Sequence, residues 1–265
     1  MVGDTSYLLG IHINRNRENG TLDLDQEQYV QSVLKRFNAT EIPMYHTPIV
    51  VRDDLTPNEA PLEDTVPETV STYRSLIGSL MYLMLGTRPD IVYAVGKLAR
   101  FVTNLSPEHI KAARCILAYL KATDYWGLRY YSNGFIEPEG FVDADHAGDK
   151  SDRKSTVGYT FLAVKCAFSW SSKKESMVAT STMEAKYIAL FLGAQQAVWI
   201  RQFYRQIGFP LEEPTMIYCD SEAAIAIAHA EHSHKLSEHL DIRLHSIHER
   251  IQNWEIEVRR VSCQG

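Results

Sequence analysis

The stretch Gly140-Phe141-Val142-Asp143-Ala144-Asp145 places two acids inside a short apolar run. Alternation along a strand puts Phe141, Asp143 and Asp145 on one face. An acid at the end of a buried strand is costly to desolvate unless a cation meets it. The stretch therefore predicts a strand that carries an acid in need of a cationic partner.

Two further acids occupy comparable settings. Asp220 ends a second strand-like run, 215–219, and Glu184 opens a long helical pattern. No Lys or Arg stands near the three acids at a fixed spacing, so Asp143, Glu184 and Asp220 suggest a cluster that holds divalent cations. Oxygen ligands suit Mg²⁺, and two such ions can drive in-line phosphodiester hydrolysis.

Each acid also has a simpler interpretation. Glu184 in the first turn of a helix interacts favourably with the helix dipole. Asp220 precedes Ser221-Glu222 and could cap the next helix, while Asp145 and Asp149 could be solvated loop acids. Taken singly these interpretations are favoured, but three acids on the strand, helix and strand of one α/β unit together favour the metal site.

The composition sets the broad class. The chain has 265 residues, 45% of them hydrophobic and 23% charged, which is typical of a globular protein with room for two modest domains. The formal net charge of −6 would repel nucleic acid, so any docking would depend on a local basic face. The four cysteines form no CxxC pair, which indicates reduced thiols in an intracellular protein, and we expect neither a signal peptide nor a transmembrane helix.

Residues 1–132 predict a hairpin and a small helical bundle. The hairpin turns at Asn19-Gly20 and is expected to leave an exposed edge and an apolar patch. Five of the ten prolines fall between Pro43 and Pro67, which indicates a linker over 43–70. The bundle is predicted from helical patterns over 73–85, from Pro89 onward, and from Ser106-Pro107 through Leu120.

Residues 137–265 predict an α/β domain. Three consecutive strands followed by strand–helix alternation are typical of a mixed sheet flanked by helices. The predicted strands are 141–145, 157–164, 167–171, 216–219 and 256–261, and the predicted helices are 182–207, 223–229 and 236–251.

Many short motifs, in order along nearly the whole chain, resemble the polyprotein of copia-type LTR retrotransposons. The C-terminal motifs resemble its ribonuclease H (RNase H) region, and the N-terminal motifs resemble the end of its reverse transcriptase. They include Gly78-Ser79-Leu80-Met81-Tyr82-Leu83, Thr87-Arg88-Pro89-Asp90-Ile91, residues 141–149, Asp152-Arg153-Lys154-Ser155-Thr156, residues 181–190, Tyr218-Cys219-Asp220 and residues 239–243.

The resemblance implies an RNase H-like mixed sheet after a helical remnant of the reverse-transcriptase thumb and connection. It implies that Asp143, Glu184 and Asp220 hold two Mg²⁺ ions, for which Mn²⁺ can substitute, and that the RNA strand of an RNA/DNA hybrid is cut. Selectivity for RNA would come from 2′-hydroxyl contacts in the minor groove. The implied partners are the hybrid and the remainder of the polyprotein, and the expected backbone contacts are Arg153, Lys154, Ser155, Lys173 and Lys174.

RNase H activity is the leading interpretation, but departures from the family pattern keep a rival open. Lys186 stands where a Glu is usual, and the family's fourth carboxylate and the polymerase aspartate motif would both lie outside residues 1–265. We therefore expect no working polymerase. The rival to RNase H activity is a catalytically silent transposon remnant that binds nucleic acid or a protein partner.

Six of the ten histidines crowd into one C-terminal segment. Zinc binding by this group is conceivable, but no set of them has structural-zinc spacing with cysteine partners. Solvated helix and loop histidines are the better interpretation, although His239 or His245 could line the cleft. The six are His229, His232, His234, His239, His245 and His248.

Overall fold

A computed structural model describes residues 6–49, 55–57, 67–133, 137–149, 151–230 and 238–261. The chain divides into two compact units, 1–133 and 134–265. Each unit has its own buried apolar cluster. Among the described residues, no helix is long and apolar enough to cross a membrane.

The N-terminal unit combines an antiparallel sheet with four helices. The sheet has the order β1-β2-β3-β4, and its strands are β1 (Tyr7–Leu8), β2 (Ile11–Asn16), β3 (Thr21–Asp25) and β4 (Gly127–Tyr131). The helices are α1 (Glu27–Arg36), α2 (Pro67–Gly86), α3 (Val92–Leu98) and α4 (Pro107–Ala122), with short 3₁₀ turns at Pro89–Ile91 and Ala99–Phe101.

Two sequence-based expectations for the hairpin are wrong. The sequence alternates from Tyr7 to Ile13 as a single strand would, yet Leu9 and Gly10 form a turn with positive φ angles that divides this run into β1 and β2. Strand β4, which the sequence analysis missed, pairs antiparallel with β3 and covers the edge that was expected to be exposed. The predicted turn at Asn19-Gly20 is confirmed, since β2 and β3 pair on either side of it.

Within the predicted linker over 43–70, the described residues 43–49 and 55–57 form no helix or strand, as predicted, but the last residues of the linker belong to a helix. Leu55 is buried in the N-terminal core, and α2 begins at Pro67 rather than beyond residue 70. Proline suits the first turn of a helix, because its missing N–H would have no intrahelical partner there. The helical bundle is confirmed in α2 to α4, whose buried side chains include Leu80, Leu98 and Ile116.

The C-terminal unit has the predicted mixed sheet with flanking helices. The strand order is β7-β6-β5-β8-β9, in which β5, β6 and β7 pair antiparallel and β5, β8 and β9 pair parallel. The strands are β5 (Glu139–Asp145), β6 (Thr156–Ala163), β7 (Cys166–Lys174), β8 (Thr215–Cys219) and β9 (Ile256–Arg260), and the helices are α5 (Thr182–Gln206), α6 (Glu222–His229) and α7 (Glu238–Gln252).

Helix α5 packs closely on the centre of this sheet. Gly193 lies on the buried side of α5, and a Cβ atom added there would come closer than 3.0 Å to the Val142 side chain. A glycine at this position therefore lets the helix backbone approach β5 directly. Lys186 lies seven residues earlier, on the same stripe of the helix, because seven residues nearly complete two turns.

Candidate metal centre

Asp143 and Asp220 are brought together by the parallel pairing of β5 with β8. Val142 pairs with Cys219 in the register of the two strands. Asp143 follows Val142 and Asp220 follows Cys219, so the two aspartates lie side by side near the carboxyl ends of their strands. Both aspartates are open to solvent, with side chains 77% and 58% exposed respectively. The fold therefore brings two of the three predicted acids together, while their role as metal ligands stays a prediction.

The gap between the two aspartates contains the ammonium group of Lys186. Its Nζ donates to Oδ1 of Asp143 and, over 2.8 Å, to Oδ2 of Asp220. The Lys186 side chain is only 12% exposed, so these contacts are shielded on the lysine side. Sequence reasoning had found no cation at a fixed spacing from the acids, and Lys186 is the residue that it missed.

The two ion pairs determine the protonation of Lys186. Burial lowers the pKa of its ammonium group, but the hydrogen bonds that it donates to Asp143 and Asp220 outweigh that effect and raise the pKa above its usual value. The ammonium therefore stays charged at neutral pH. One positive charge lies between two carboxylates, and the three groups together have a formal charge of −1.

Glu184 is not brought to this cluster. Its Oε2 accepts hydrogen bonds of 2.6 Å from both the backbone N–H and the hydroxyl of Thr180, while its own N–H donates to Oγ of Ser181 over 3.1 Å. These contacts hold the Glu184 carboxylate at the N-terminus of α5, where it also interacts favourably with the helix dipole, as the simpler interpretation of this acid expects. Helix phase explains the difference, because residues two positions apart point about 200° apart around a helix.

Asp220 is not the cap of the following helix. Ser221 holds the N-cap position of α6, and its Oγ accepts from the N–H of Ala224 over 3.2 Å. Asp220 is therefore left to pair with Lys186. Serine is as good a cap as aspartate, which is why sequence alone could not choose between the two neighbours.

The residues present do not fit the two Mg²⁺ ions that the sequence predicts. The described part of the chain has no group of three or more His, Cys, Asp or Glu that could hold a metal ion. The two convergent carboxylates already share an ammonium group, and the Glu184 carboxylate is bound to Thr180. Mg²⁺ needs several oxygen ligands with favourable charge, and a cation in their midst opposes its entry.

The histidine group shows no metal geometry where the structure describes it. Nε2 of His229 lies 3.2 Å from the carbonyl of Val258, and Nε2 of His248 lies 2.9 Å from the carbonyl of Ile227. Both rings thus contact neighbouring backbone, and His229 is also exposed to solvent, as the interpretation of solvated histidines expects. His245 is exposed, whereas His232, His234 and the side chain of His239 lie outside the described residues.

The five predicted backbone contacts fall into three groups. Ser155 is fully buried and its Oγ accepts from the N–H of Ala147 over 3.2 Å, so it cannot present its hydroxyl to a phosphate, and that prediction is wrong. Lys154 and Lys174 form ion pairs with loop acids. Arg153 and Lys173 are exposed, and they stay predictions as phosphate contacts.

Lys174 holds together the loop that joins β5 to β6. Its Nζ contacts Oδ2 of Asp149 and lies 2.9 Å from Oδ1 of Asp152. The N–H of Ser151 also donates to Asp149, over 3.0 Å. Burial raises the pKa of the Asp149 carboxyl, but the hydrogen bonds from Lys174 and Ser151 outweigh this and hold that pKa well below its usual range.

The depressed pKa of Asp149 predicts an acid-sensitive loop. Its stabilising effect is fully present above the unfolded-state pKa of about 3.9 and is lost as the pH falls toward the folded-state pKa. We expect Asp149→Asn to lower the free energy of unfolding by about 1 kcal/mol at pH 7, as for a solvent-screened ion pair. Urea unfolding at pH 7 and at about pH 3 measures this, and the difference between the two proteins should be smaller at the lower pH. The exposed Glu212→Gln is the control, and a difference that persists unchanged in acid contradicts the prediction.

Known proteins were compared with the whole chain. No protein-family model matches it. It is 37% identical over 265 residues to the retrovirus-related Pol polyprotein from transposon TNT 1-94 of Nicotiana tabacum, an alignment that covers 98% of this chain and 20% of the relative. The corresponding polyprotein from transposon RE1 of Arabidopsis thaliana is 33% identical over 256 residues, which cover 97% of this chain and 17% of the relative.

The chain belongs to the retrovirus-related Pol polyproteins of transposons. It spans about one fifth of the length of these Pol relatives. Among solved structures, an RNase H1 named LC11, in complex with an RNA/DNA hybrid, is 13% identical with a TM-score of 0.37, covering 48% of this chain and 87% of that one.

The predicted fold class is confirmed for this Pol fragment. Its C-terminal unit has the RNase H-like fold, in which three antiparallel strands are extended by two parallel strands and flanked by helices. The finer assignment to the copia type stays a prediction. In this fold Lys186 contacts both Asp143 and Asp220, and the assignment of Asp143, Glu184 and Asp220 as metal ligands stays a prediction.

Proposed function

We propose that the C-terminal unit binds RNA/DNA hybrids as the RNase H part of a transposon polyprotein, and that the present sequence does not cut them efficiently. One observation supports the second half: the Lys186 ammonium lies between Asp143 and Asp220. The first half is supported by membership of the Pol polyproteins and by the RNase H-like sheet. The proposed partners are the hybrid and the remainder of the polyprotein.

Binding would depend on a few local cations, because the chain as a whole is acidic. Lys173 lies near the end of β7, and Arg153 lies in the loop before β6, so both are exposed close to the Asp143 end of the sheet. Each can meet a phosphate, while recognition of RNA would require contacts to 2′-hydroxyl groups in the wide minor groove.

Cutting requires stabilisation of the charge that develops at the scissile phosphate. Asp143 and Asp220 do not supply that stabilisation in this chain. In two-metal hydrolysis the ions stabilise both the attacking and the leaving oxygen. Lys186 offsets one of the two negative charges of the aspartates and occupies the space between them, and Glu184 is committed to the start of α5. Asp143 and Asp220 therefore act as partners of a lysine in this chain rather than as a pair of free ligands.

A second candidate function is Mg²⁺-dependent hydrolysis of the RNA strand. The observation that favours it is the convergence of two exposed aspartates at the carboxyl ends of adjacent parallel strands. Lysine has a long, flexible side chain, so a bound hybrid and metal could displace its ammonium group. The two candidates differ in one measurable respect, which is metal-dependent cleavage.

The test measures binding and cleavage separately with the full chain. Fluorescence anisotropy with a labelled RNA/DNA hybrid in chelator should show binding that weakens with salt, as for phosphate contacts. Lys173→Gln should reduce the slope of log affinity against log salt by about one, whereas Lys165→Gln, at the opposite end of the β6–β7 hairpin, should not change it.

Cleavage is then followed on gels with Mg²⁺, with Mn²⁺ and with chelator, using Asp143→Asn as the control. The proposal expects binding without metal-dependent cutting. Cutting of the RNA strand that is abolished by Asp143→Asn would establish the second candidate instead. Absence of hybrid binding by folded protein would overturn the proposed function.

A further inference from the structure

We infer that the Lys186 ammonium group takes the place of a divalent cation between Asp143 and Asp220, and that a carboxylate at position 186 would make this cluster a divalent-cation site. The inference deepens the proposed function and rests on it, because it assigns the lack of cutting to a single side chain. It concerns the binding of a metal ion alone, and therefore it can be tested without nucleic acid.

The geometry places one positive charge where a metal would bridge the two acids. Lys186 contacts one oxygen of each aspartate, Oδ1 of Asp143 and Oδ2 of Asp220. Its side chain is largely buried, while the two carboxylates remain more than half exposed. An incoming hydrated cation could reach the aspartates from solvent, but it would meet the fixed ammonium group of Lys186.

Position 186, rather than position 184, has access to the aspartates. The backbone of α5 is fixed against β5 by Gly193, and Lys186 shares the stripe of Gly193 on the helix. Glu184 points about 200° away around the helix axis and bonds to Thr180. A carboxylate introduced at 186 would therefore point toward Asp143 and Asp220 from the same start of α5.

Charge and ligand chemistry give the direction of the effect. Lys186→Glu changes the formal charge of the three groups from −1 to −3, and it supplies a third oxygen ligand. Hard divalent cations bind carboxylate oxygens, and their affinity increases with the number of ligand charges. Lys186→Gln removes the ammonium without adding a carboxylate and should therefore have a smaller effect of the same sign.

The experiment titrates MnCl₂ into the full-length protein and its variants, and measures free Mn²⁺ by electron paramagnetic resonance. We expect Lys186→Glu to bind one Mn²⁺ at least about tenfold more tightly than the unmodified chain, with Lys186→Gln in between. Adding Asp143→Asn to Lys186→Glu should remove the gain. Adding Glu184→Gln should leave it in place, because the Glu184 carboxylate is held at the N-terminus of α5.

Thermal unfolding provides a second readout that needs no activity. A ligand that binds only the folded state raises the midpoint of unfolding, so Mn²⁺ should stabilise Lys186→Glu much more than the unmodified chain. If Lys186→Glu does not fold without metal because three carboxylates repel one another, Lys186→Gln must still show tighter Mn²⁺ binding than the unmodified chain.

Three results would overturn the inference. The first is equal Mn²⁺ affinity in the unmodified chain and in both position-186 variants. The second is tight binding by the unmodified chain that Asp143→Asn abolishes, because the lysine would then not exclude the metal. The third is loss of the tighter Mn²⁺ binding of Lys186→Glu when Glu184→Gln is added to it. Hybrid binding is measured in chelator, so its failure would overturn the proposed function and leave these results unaffected.

Discussion

Replacement of Arg88 by methionine is expected to destabilise the N-terminal unit by about 1.5–3 kcal/mol, the range for losing hydrogen bonds to a charged group. The Arg88 side chain is 1% exposed and pairs with Asp90, whose carboxylate accepts from Nη2 over 2.7 Å and from Nε over 3.0 Å. The remaining guanidinium hydrogens reach Thr123, with Nη1 2.9 Å from its carbonyl oxygen and Nη2 2.6 Å from its hydroxyl.

Arg88 thereby links two separate parts of the N-terminal unit. Asp90 lies in the turn after α2, and Thr123 ends α4. Tyr119 completes the network, because its hydroxyl donates to Asp90 over 2.8 Å and its ring lies 5.6 Å from the guanidinium carbon. Burial, together with the hydrogen bond to Asp90, raises the pKa of Tyr119 to about 12. Methionine would fill the volume but remove the guanidinium donors, so that Asp90 keeps the Tyr119 hydroxyl and the Thr123 carbonyl keeps the Trp126 N–H.

Hydrogen exchange by mass spectrometry can locate this loss. Peptides from α4 should exchange much faster in Arg88→Met than in the unmodified chain, while peptides from α5 should be unchanged because they belong to the other unit. The control is Arg129→Met, which removes an exposed ion pair with Asp23 and should have little effect. Unchanged protection of α4 in Arg88→Met would show that the network does not stabilise the unit.

The local pattern of the C-terminal unit was sufficient to predict most of its elements. Alternating or continuous apolar runs indicated β5 and β8, and a long helical pattern indicated α5, which ends at Gln206 rather than at residue 207. Such patterns report which residues face the core within one element. The positions of Asp143 and Asp220 followed from them, since both acids come at strand ends.

Strands that depend on pairing with a distant part of the chain could not be predicted in the same way. Strand β4 pairs with β3, about one hundred residues earlier in the chain, and nothing in residues 127–131 alone indicates that partner. A short run with several aromatics is compatible with a strand, a loop or a helix end. Only the unpaired edge of the hairpin could have indicated that another strand was required.

The assignment of Glu184 shows a limit of a different kind. Glu184 and Lys186 are two residues apart, and both lie in the first turns of α5. Choosing between them requires the rotation of the helix about its axis, which is set by the contact of Gly193 with β5. The stripe that joins Lys186 to Gly193 is visible in the sequence. It could have indicated a cation beside the acids if the glycine had been taken as the contact point.

Substitution of Gly193 by alanine is expected to destabilise the C-terminal unit by about 1–3 kcal/mol, although alanine is the better helix former. The added Cβ would overlap the Val142 side chain at closer than 3.0 Å, so α5 would have to shift away from β5. Because Lys186 lies on the same stripe, that shift would also lengthen its contact with Asp143.

The matched control is Gly78→Ala in α2, where an added Cβ has no atom within 4 Å. There alanine should stabilise the chain by about 0.5–1 kcal/mol through helix propensity alone. If packing at Gly193 sets the position of α5, urea unfolding should show a lower free energy of unfolding for Gly193→Ala and a higher one for Gly78→Ala. Combining Gly193→Ala with Val142→Ala should restore part of the loss, since the two changes act on one contact. Equal effects of the two glycine substitutions would show that α5 is positioned by other contacts, and the placement of Lys186 would then need another explanation.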